Sequence, residues 1–229
     1  MYLSHLASQI LTIMLIKTFG STLIGVNAIT ITVEVNVDQG VNFYLVGLPD
    51  SAVKESHQRI ESALKHIGYR LPGKKIVINM APADIRKEGS AYDLTLATGI
   101  LAASEQMQSK DIEKYIIMGE LSLDGSLQPI KGALSIAIQA REEGFKGFIL
   151  PKQNAKEAAI VNNLEVYGAE SIKEVIDFFD GKPSIEREIL DTRKEFYSSL
   201  NDYEFDFEDV KGQENIKRAL EIAAAGGHN

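Results

Sequence analysis

From Ile29 to Asp38 the chain alternates without a break. Ile29, Ile31, Val33, Val35 and Val37 are apolar, and Thr30, Thr32, Glu34, Asn36 and Asp38 are polar. A period of two predicts a strand with one buried and one wet face, as in an antiparallel meander. Asp38-Gln39-Gly40 then reads as a hairpin turn into a strand over Val41–Val46. After Gly47-Leu48-Pro49 the period lengthens. Asp50 or Ser51 can cap a helix on which Val53, Ile60, Ala63, Leu64 and Ile67 share a face, and Gly68 ends it. Ile76–Met80 reads as a short buried strand, and the Leu- and Ala-rich run from Tyr92 to Ser104 as a helix. Further strands are predicted at Tyr115–Leu123, Leu127–Ile130, Gly147–Leu150 and Glu165–Tyr167. Helices are predicted at Ala133–Glu143, Asn154–Ile160 and Ile172–Phe179. The order is that of a mixed α/β (α+β) domain.

Gly181-Lys182-Pro183 breaks the pattern. The polar stretch 182–204 reads as a linker, and a new unit starts at Phe205. At the other end the first 13 residues read as an upstream extension, with Met14 as the natural start and the domain running over 14–181.

Composition narrows the function classes. No stretch approaches the ~20 apolar residues that span a bilayer, and the opening lacks the basic start and cleavage site of a signal peptide. The absence of cysteine excludes thiol catalysis, disulfides and cysteine-ligated zinc, and fits a cytoplasmic address. His5, His57, His66 and His228 show no metal-ligand spacing, so no metal site is expected. The net charge of −8 argues against a chain coated in nucleic acid, but the charge is uneven. Lys54 to Lys87 carries eight basic residues against three acidic ones, whereas Glu157 to Asp209 carries fifteen acidic against five basic. In the basic stretch, Lys74 and Lys75 follow Pro72-Gly73, and Arg86 and Lys87 precede Gly89. Loop cations of this kind can contact phosphates without reading sequence, which makes these four the candidates for DNA contact. A solvated basic face paired with the acidic tail is the alternative.

Three segments carry more specific information: Gly47 to Ser56 (GLPDSAVKES), Asn79 to Leu94 (NMAPADIRKEGSAYDL) and Met118 to Gly132 (MGELSLDGSLQPIKG). They resemble the N-terminal domain of the YifB/ComM family of Mg-chelatase-like AAA+ proteins. The resemblance extends over about Leu15 to Gly181. It implies a Lon-protease-like topology of the ribosomal protein S5 second-domain type, and so raises the question of a serine–lysine peptidase. Such chemistry needs a serine hydroxyl beside a neutral lysine. Aligned without gaps on the Lon-type loop, the nucleophile position falls on Ala91, and the lysine position falls on Leu134. Both functional groups are missing. The alternative dyad, Ser90 with Lys131, is displaced by one and three residues, and Ser90 also reads as a helix cap with Asp93 completing a capping-box-like pair.

The tail, Phe205 to Glu214 followed by a helical run from Asn215 to Ala225, resembles the start of a chelatase-type AAA+ module. The resemblance places Val210 and Gly212 against the adenine of a nucleotide. No Gly-x-x-x-x-Gly-Lys-Ser/Thr phosphate loop occurs in the 229 residues, so no cofactor is expected for this stretch alone, while ATP and Mg2+ are expected for the full-length protein. ComM-like members are branch-migration helicases linked to recombination in natural transformation, and intact AAA+ relatives form hexamers. The resemblance therefore implies a DNA-handling homo-oligomeric motor whose N-terminal domain is not a peptidase. The two other readings are a Lon-like peptidase using Ser90 and Lys131, and a protein-interaction domain of a chelatase-like complex.

Overall fold

The computed structural model describes residues 15–108, 110–190 and 207–227. The chain divides into two compact units, with the boundary after Ile189. In chain order the first unit contains β1 (Ile16–Ile24), β2 (Asn27–Asp38), β3 (Phe43–Val46), α1 (Ser51–Lys54), α2 (Ser56–His66), β4 (Lys75–Ala81), α3 (Asp93–Ala103) and β5 (Tyr115–Ile117). There follow β6 (Glu120–Leu121), β7 (Leu127–Gln128), α4 (Ala133–Glu142), β8 (Gly147–Pro151), α5 (Lys152–Ala158), β9 (Glu165–Ala169), α6 (Ile172–Phe179) and β10 (Arg187–Glu188). The second unit contributes a 3-10 turn, Phe207–Asp209, and α7 (Glu214–Gly226). No helix among the described residues is long and apolar enough to cross a membrane.

Eight strands form one sheet in the order β10-β9-β8-β5-β1-β2-β4-β3, and β6 pairs with β7 apart from it. Neighbours from β9 to β1 are parallel, as are β4 and β3, while β1–β2, β2–β4 and β9–β10 are antiparallel. The expected mixed α/β class is the observed one. The alternation in β2 works as its period demands: Ile31, Val33 and Val35 are fully buried, and Thr30, Thr32, Glu34 and Asn36 lie on the wetter face.

The hairpin expected at Asp38-Gln39-Gly40 does not form. The chain reverses there, but β4 lies between the two arms, antiparallel to β2 and parallel to β3. Its Ile76, Ile78 and Met80 extend the buried face of β2 in a way the shorter Phe43–Val46 segment could not. The strand expected over Tyr115–Leu123 is interrupted, because the Gly119 N–H turns to the Ala91 carbonyl at 2.8 Å and the Gly119 carbonyl accepts from the Leu94 N–H at 3.0 Å. The first residues of the expected linker are part of the first unit. Ser184 donates to the Glu174 carbonyl, Ile185 packs on the core, and Arg187–Glu188 add an edge strand beside β9. Residues 1–13, and most of 182–204 beyond Leu190, lie outside the described residues.

Helix α3 is enclosed on all sides, with every residue from Asp93 to Ala103 buried. Such a helix is apolar nearly all round; its polar residues Asp93, Thr95 and Thr98 each have a hydrogen-bond partner, and the helix lies close to the sheet. Gly99 allows this, since a Cβ there would sit 2.7 Å from the Val35 side chain. A second close approach fixes the loop after β3. Gly47 has φ +104°, and a Cβ on it would fall 2.1 Å from the Met80 carbonyl oxygen. Gly47→Ala is therefore expected to cost about 2 kcal/mol or more in urea unfolding; a loss below about 0.5 kcal/mol would show that this loop is not held against β4.

Candidate functional site

The three distinctive segments of the sequence meet in space. The loop after β3 and the loop after β4 run side by side: the Asp50 N–H donates to the Lys87 carbonyl at 3.0 Å, and the Lys87 N–H to the Leu48 carbonyl at 3.2 Å. The Asp50 carboxylate spans both. One oxygen accepts from the Val53 N–H at 2.8 Å and so caps α1, and the other accepts from the Gly89 N–H at 3.1 Å. The second and third segments are joined at Asp93. Its carboxylate is completely buried and receives a two-pronged contact from Arg59 on α2, Nε at 2.6 Å and Nη2 at 2.9 Å, together with the Leu121 N–H at 3.1 Å. Arg59 is 20% exposed and also donates to the Ala52 carbonyl at 2.8 Å. The hydrogen bond to Asp93 raises its pKa above the ordinary arginine value. The capping box expected at Ser90 and Asp93 is thus absent: Asp93 is committed to Arg59, and α3 starts without a side-chain cap.

These contacts enclose an open cleft of about 640 Å³. Its walls are the end of β1 (Ser21 to Leu23), the loop Glu88 to Tyr92, Glu120, and the segment Pro129 to Lys131. The Ser90 hydroxyl donates to the Glu120 carboxylate. Ile130 is clamped on both backbone groups by Asn154, at 2.8 and 3.0 Å. Tyr92 is 1% exposed, and its hydroxyl has no hydrogen-bond partner of ordinary geometry. Burial pushes this phenol up to about 12, against a smaller opposing pull from Thr22.

Comparison with known proteins gives this arrangement a context. The family described as subunit ChlI of Mg-chelatase matches residues 33–154, and that described as magnesium chelatase, subunit ChlI, matches residues 206–229. The chain is 42% identical over 207 residues to the uncharacterized protein YifB of Salmonella typhimurium, covering 90% of this chain and 40% of that protein. It is 40% identical over 208 residues to the competence protein ComM of Haemophilus influenzae, with the same coverage. The chain belongs to the Mg-chelatase-like YifB/ComM family. It spans about 40% of the length of these relatives. Lon protease 2 of Bacillus subtilis is 27% identical over 154 residues, 66% of this chain and 26% of that protein, in keeping with a Lon-like fold.

Within this family member, the positions where a Lon-type dyad would stand can be located. Ala91 lines the cleft. Leu134 is half-buried near the start of α4, packs on the core, and gives its N–H to Glu157 at 3.0 Å. Ser90 and Lys131 line the same cleft, but the proton of Ser90 goes to Glu120. Asp50 caps a helix as its sequence context predicts, but its second contact to Gly89, and the roles of Arg59, Glu120 and Tyr92, were not legible, since their partners lie far along the chain and leave no local period.

The four basic candidates do not form one patch. Lys74 precedes the seven-residue β4 and Lys75 opens it, whereas Arg86 and Lys87 follow its other end. Lys74 is exposed, Lys75 lies over the Tyr44 ring at 5.7 Å, and Arg86 pairs with Glu88 at 3.1 Å. Lys87 must be removed from the set of phosphate-contacting candidates. It is 0% exposed, and its ammonium donates inward to the Pro82 carbonyl, out of reach of any phosphate. In the second unit Val210 is exposed and Gly212 has φ +72°.

Burial also lowers the Lys87 pKa below the ordinary 10.5, with Asp84 opposing. Between the two values the unfolded chain keeps a proton that the folded chain has released, so stability rises with pH across that window. Below it, the cost of burying the charge persists in full. Lys87→Met is therefore expected to melt higher than wild type at neutral pH, with the gap closing as pH rises toward 10.5. Differential scanning calorimetry across that range checks this; a gap that is constant or widens with pH would contradict it.

Proposed function

We propose that this chain provides the non-peptidase N-terminal domain and the leading helix of the ATPase module of a Mg-chelatase-like AAA+ protein, and that the whole protein is a DNA-handling motor in recombination or competence. The observation that carries the non-peptidase part is the cleft itself. Where the family resemblance puts a nucleophile and a base, the side chains are a methyl group at Ala91 and an isobutyl group at Leu134, and the neighbouring Ser90 hydroxyl is tied to a carboxylate. The match of residues 206–229 to the family described as magnesium chelatase, subunit ChlI, supports the motor part. In the whole protein Val210 and Gly212 would flank the adenine of ATP, with Mg2+ on its phosphates, in a homo-hexamer. The name of ComM as a competence protein supports the DNA part, as do the exposed Lys74 and Arg86 and the half-buried Lys75.

Anisotropy titrations of the full chain with labelled single-stranded and forked DNA test the DNA role. The expected result is weak binding that falls steeply between about 50 and 200 mM salt. Combining Lys74→Ala, Lys75→Ala and Arg86→Ala should weaken it by about tenfold and flatten the salt slope, whereas Lys87→Met should leave it unchanged. No binding at low salt, or a triple variant that binds as wild type, would remove DNA contact from this domain. Casein incubated with the chain is expected to stay intact; cleavage lost in Ser90→Ala would restore the peptidase reading.

A further inference from the structure

Arg59, Arg86, Lys114, Lys146, Lys152 and Lys173 each pair with a carboxylate. Arg70 and Lys74 do not. Among the described residues neither side chain makes an ion pair or a hydrogen bond; Arg70 is engaged through its backbone alone. Yet both line one cavity, of about 410 Å³, together with Pro72, Gly73, Ser104 and Gln106, and no carboxylate stands in its wall. Two cations facing one space without an anion repel each other. A bound anion would remove that repulsion.

The wall has a local cause. Gln106, just past α3, clamps Arg70 on both backbone groups: its side-chain oxygen accepts from the Arg70 N–H at 3.4 Å, and its amide donates to the Arg70 carbonyl at 2.9 Å. The same amide donates to the Ser104 hydroxyl at 2.8 Å. The arginine is thus fixed to the end of an enclosed helix while its side chain stays exposed. Gly73 and Lys74 follow Pro72, and their N–H groups donate to no described residue. A Cβ on Gly73 would meet nothing within 4 Å, so the cavity is open there.

The electrostatic balance favours an anion. The end of α3 brings about half a negative charge, and its last carbonyls already accept from the N–H groups of Ser104, Glu105 and Gln106. Two full positive charges outweigh it. Glu105 itself lines a separate cavity, with Asp180 and Lys182. We propose that the cavity between Arg70 and Lys74 is a seat for a phosphate group. The planar fork of Arg70 and the ammonium of Lys74 hold its oxygens, and the Gly73 and Lys74 N–H groups complete the shell. The inference rests on the DNA reading for the source of that phosphate, a nucleic-acid backbone. It deepens that reading by adding Arg70 and by leaving Arg86, beyond the other end of β4, outside the seat.

Two titrations of the full chain test it. In NMR spectra, inorganic phosphate should shift the Gly73, Lys74, Ser104 and Gln106 amides saturably, with a Kd of about 1 to 10 mM, and Arg70→Gln should abolish the shifts. In anisotropy titrations with labelled single-stranded DNA, Arg70→Gln should weaken binding at least about threefold and lower the salt slope by about one. Gly73→Leu changes no charge and meets no left-handed φ, so it fills the seat without strain and should weaken binding equally. Lys156→Gln, which removes an exposed lysine of α5 outside the cavity, should leave binding unchanged. DNA binding that neither Arg70→Gln nor Gly73→Leu weakens would overturn the seat and leave the DNA reading standing. Phosphate shifts that centre elsewhere, or do not saturate by about 20 mM, would also overturn it. Saturable phosphate shifts lost in Arg70→Gln, with no DNA binding at low salt, would support the seat for free phosphate and remove the DNA reading alone.

Discussion

One buried ion pair organises the first unit. Asp93 opens a helix that is enclosed on all sides, and its carboxylate is itself enclosed. Such a charge is tolerable only if it is paired and hydrogen-bonded. Arg59 on α2 provides the pairing, and the Leu121 N–H at the start of the β6–β7 hairpin provides the remaining donor. Because one carboxylate holds α2, α3 and β6, the loops before and after these elements have fixed positions, and the cleft between them has fixed walls. The Asp50 carboxylate repeats the same device on a smaller scale, tying the start of α1 to Gly89.

The cleft sits where a Lon-type site would be, and its walls are pinned by Asp50 and Asn154. At the positions where the resemblance puts a nucleophile and a base stand Ala91 and Leu134, and the Ser90 hydroxyl is given to Glu120. The cations Lys74, Lys75 and Arg86 lie at or beyond the two ends of β4, and none of them lines this cleft.

The parts of the fold with a local cause were legible in the sequence. The strict alternation of β2, the glycine stop after α2 and the apolar run of α3 are each dictated by residues near one another. The misreadings share a different cause. The expected hairpin after Asp38 became a split pair because β4, which starts at Lys75, competes for the same edge. Ser90 and Asp93 looked like a cap until Glu120 and Arg59, distant in sequence, claimed their side chains. Lys87 counted as a surface charge because composition cannot show a side chain turning inward. For the site, the three conspicuous segments were visible as strings, but their convergence on one cleft depends on long-range hydrogen bonds that no periodicity encodes.

A double-mutant cycle between Arg59 and Asp93 tests this account most directly. Arg59→Leu leaves a buried carboxylate without its cation, and Asp93→Leu leaves a largely buried guanidinium without its anion, so each should cost about 3 kcal/mol in urea unfolding. If the pair is what joins α2, α3 and β6, the double variant should lose much less than the sum, with a coupling of about 2 kcal/mol or more. Single losses that add to within about 0.5 kcal/mol would contradict it.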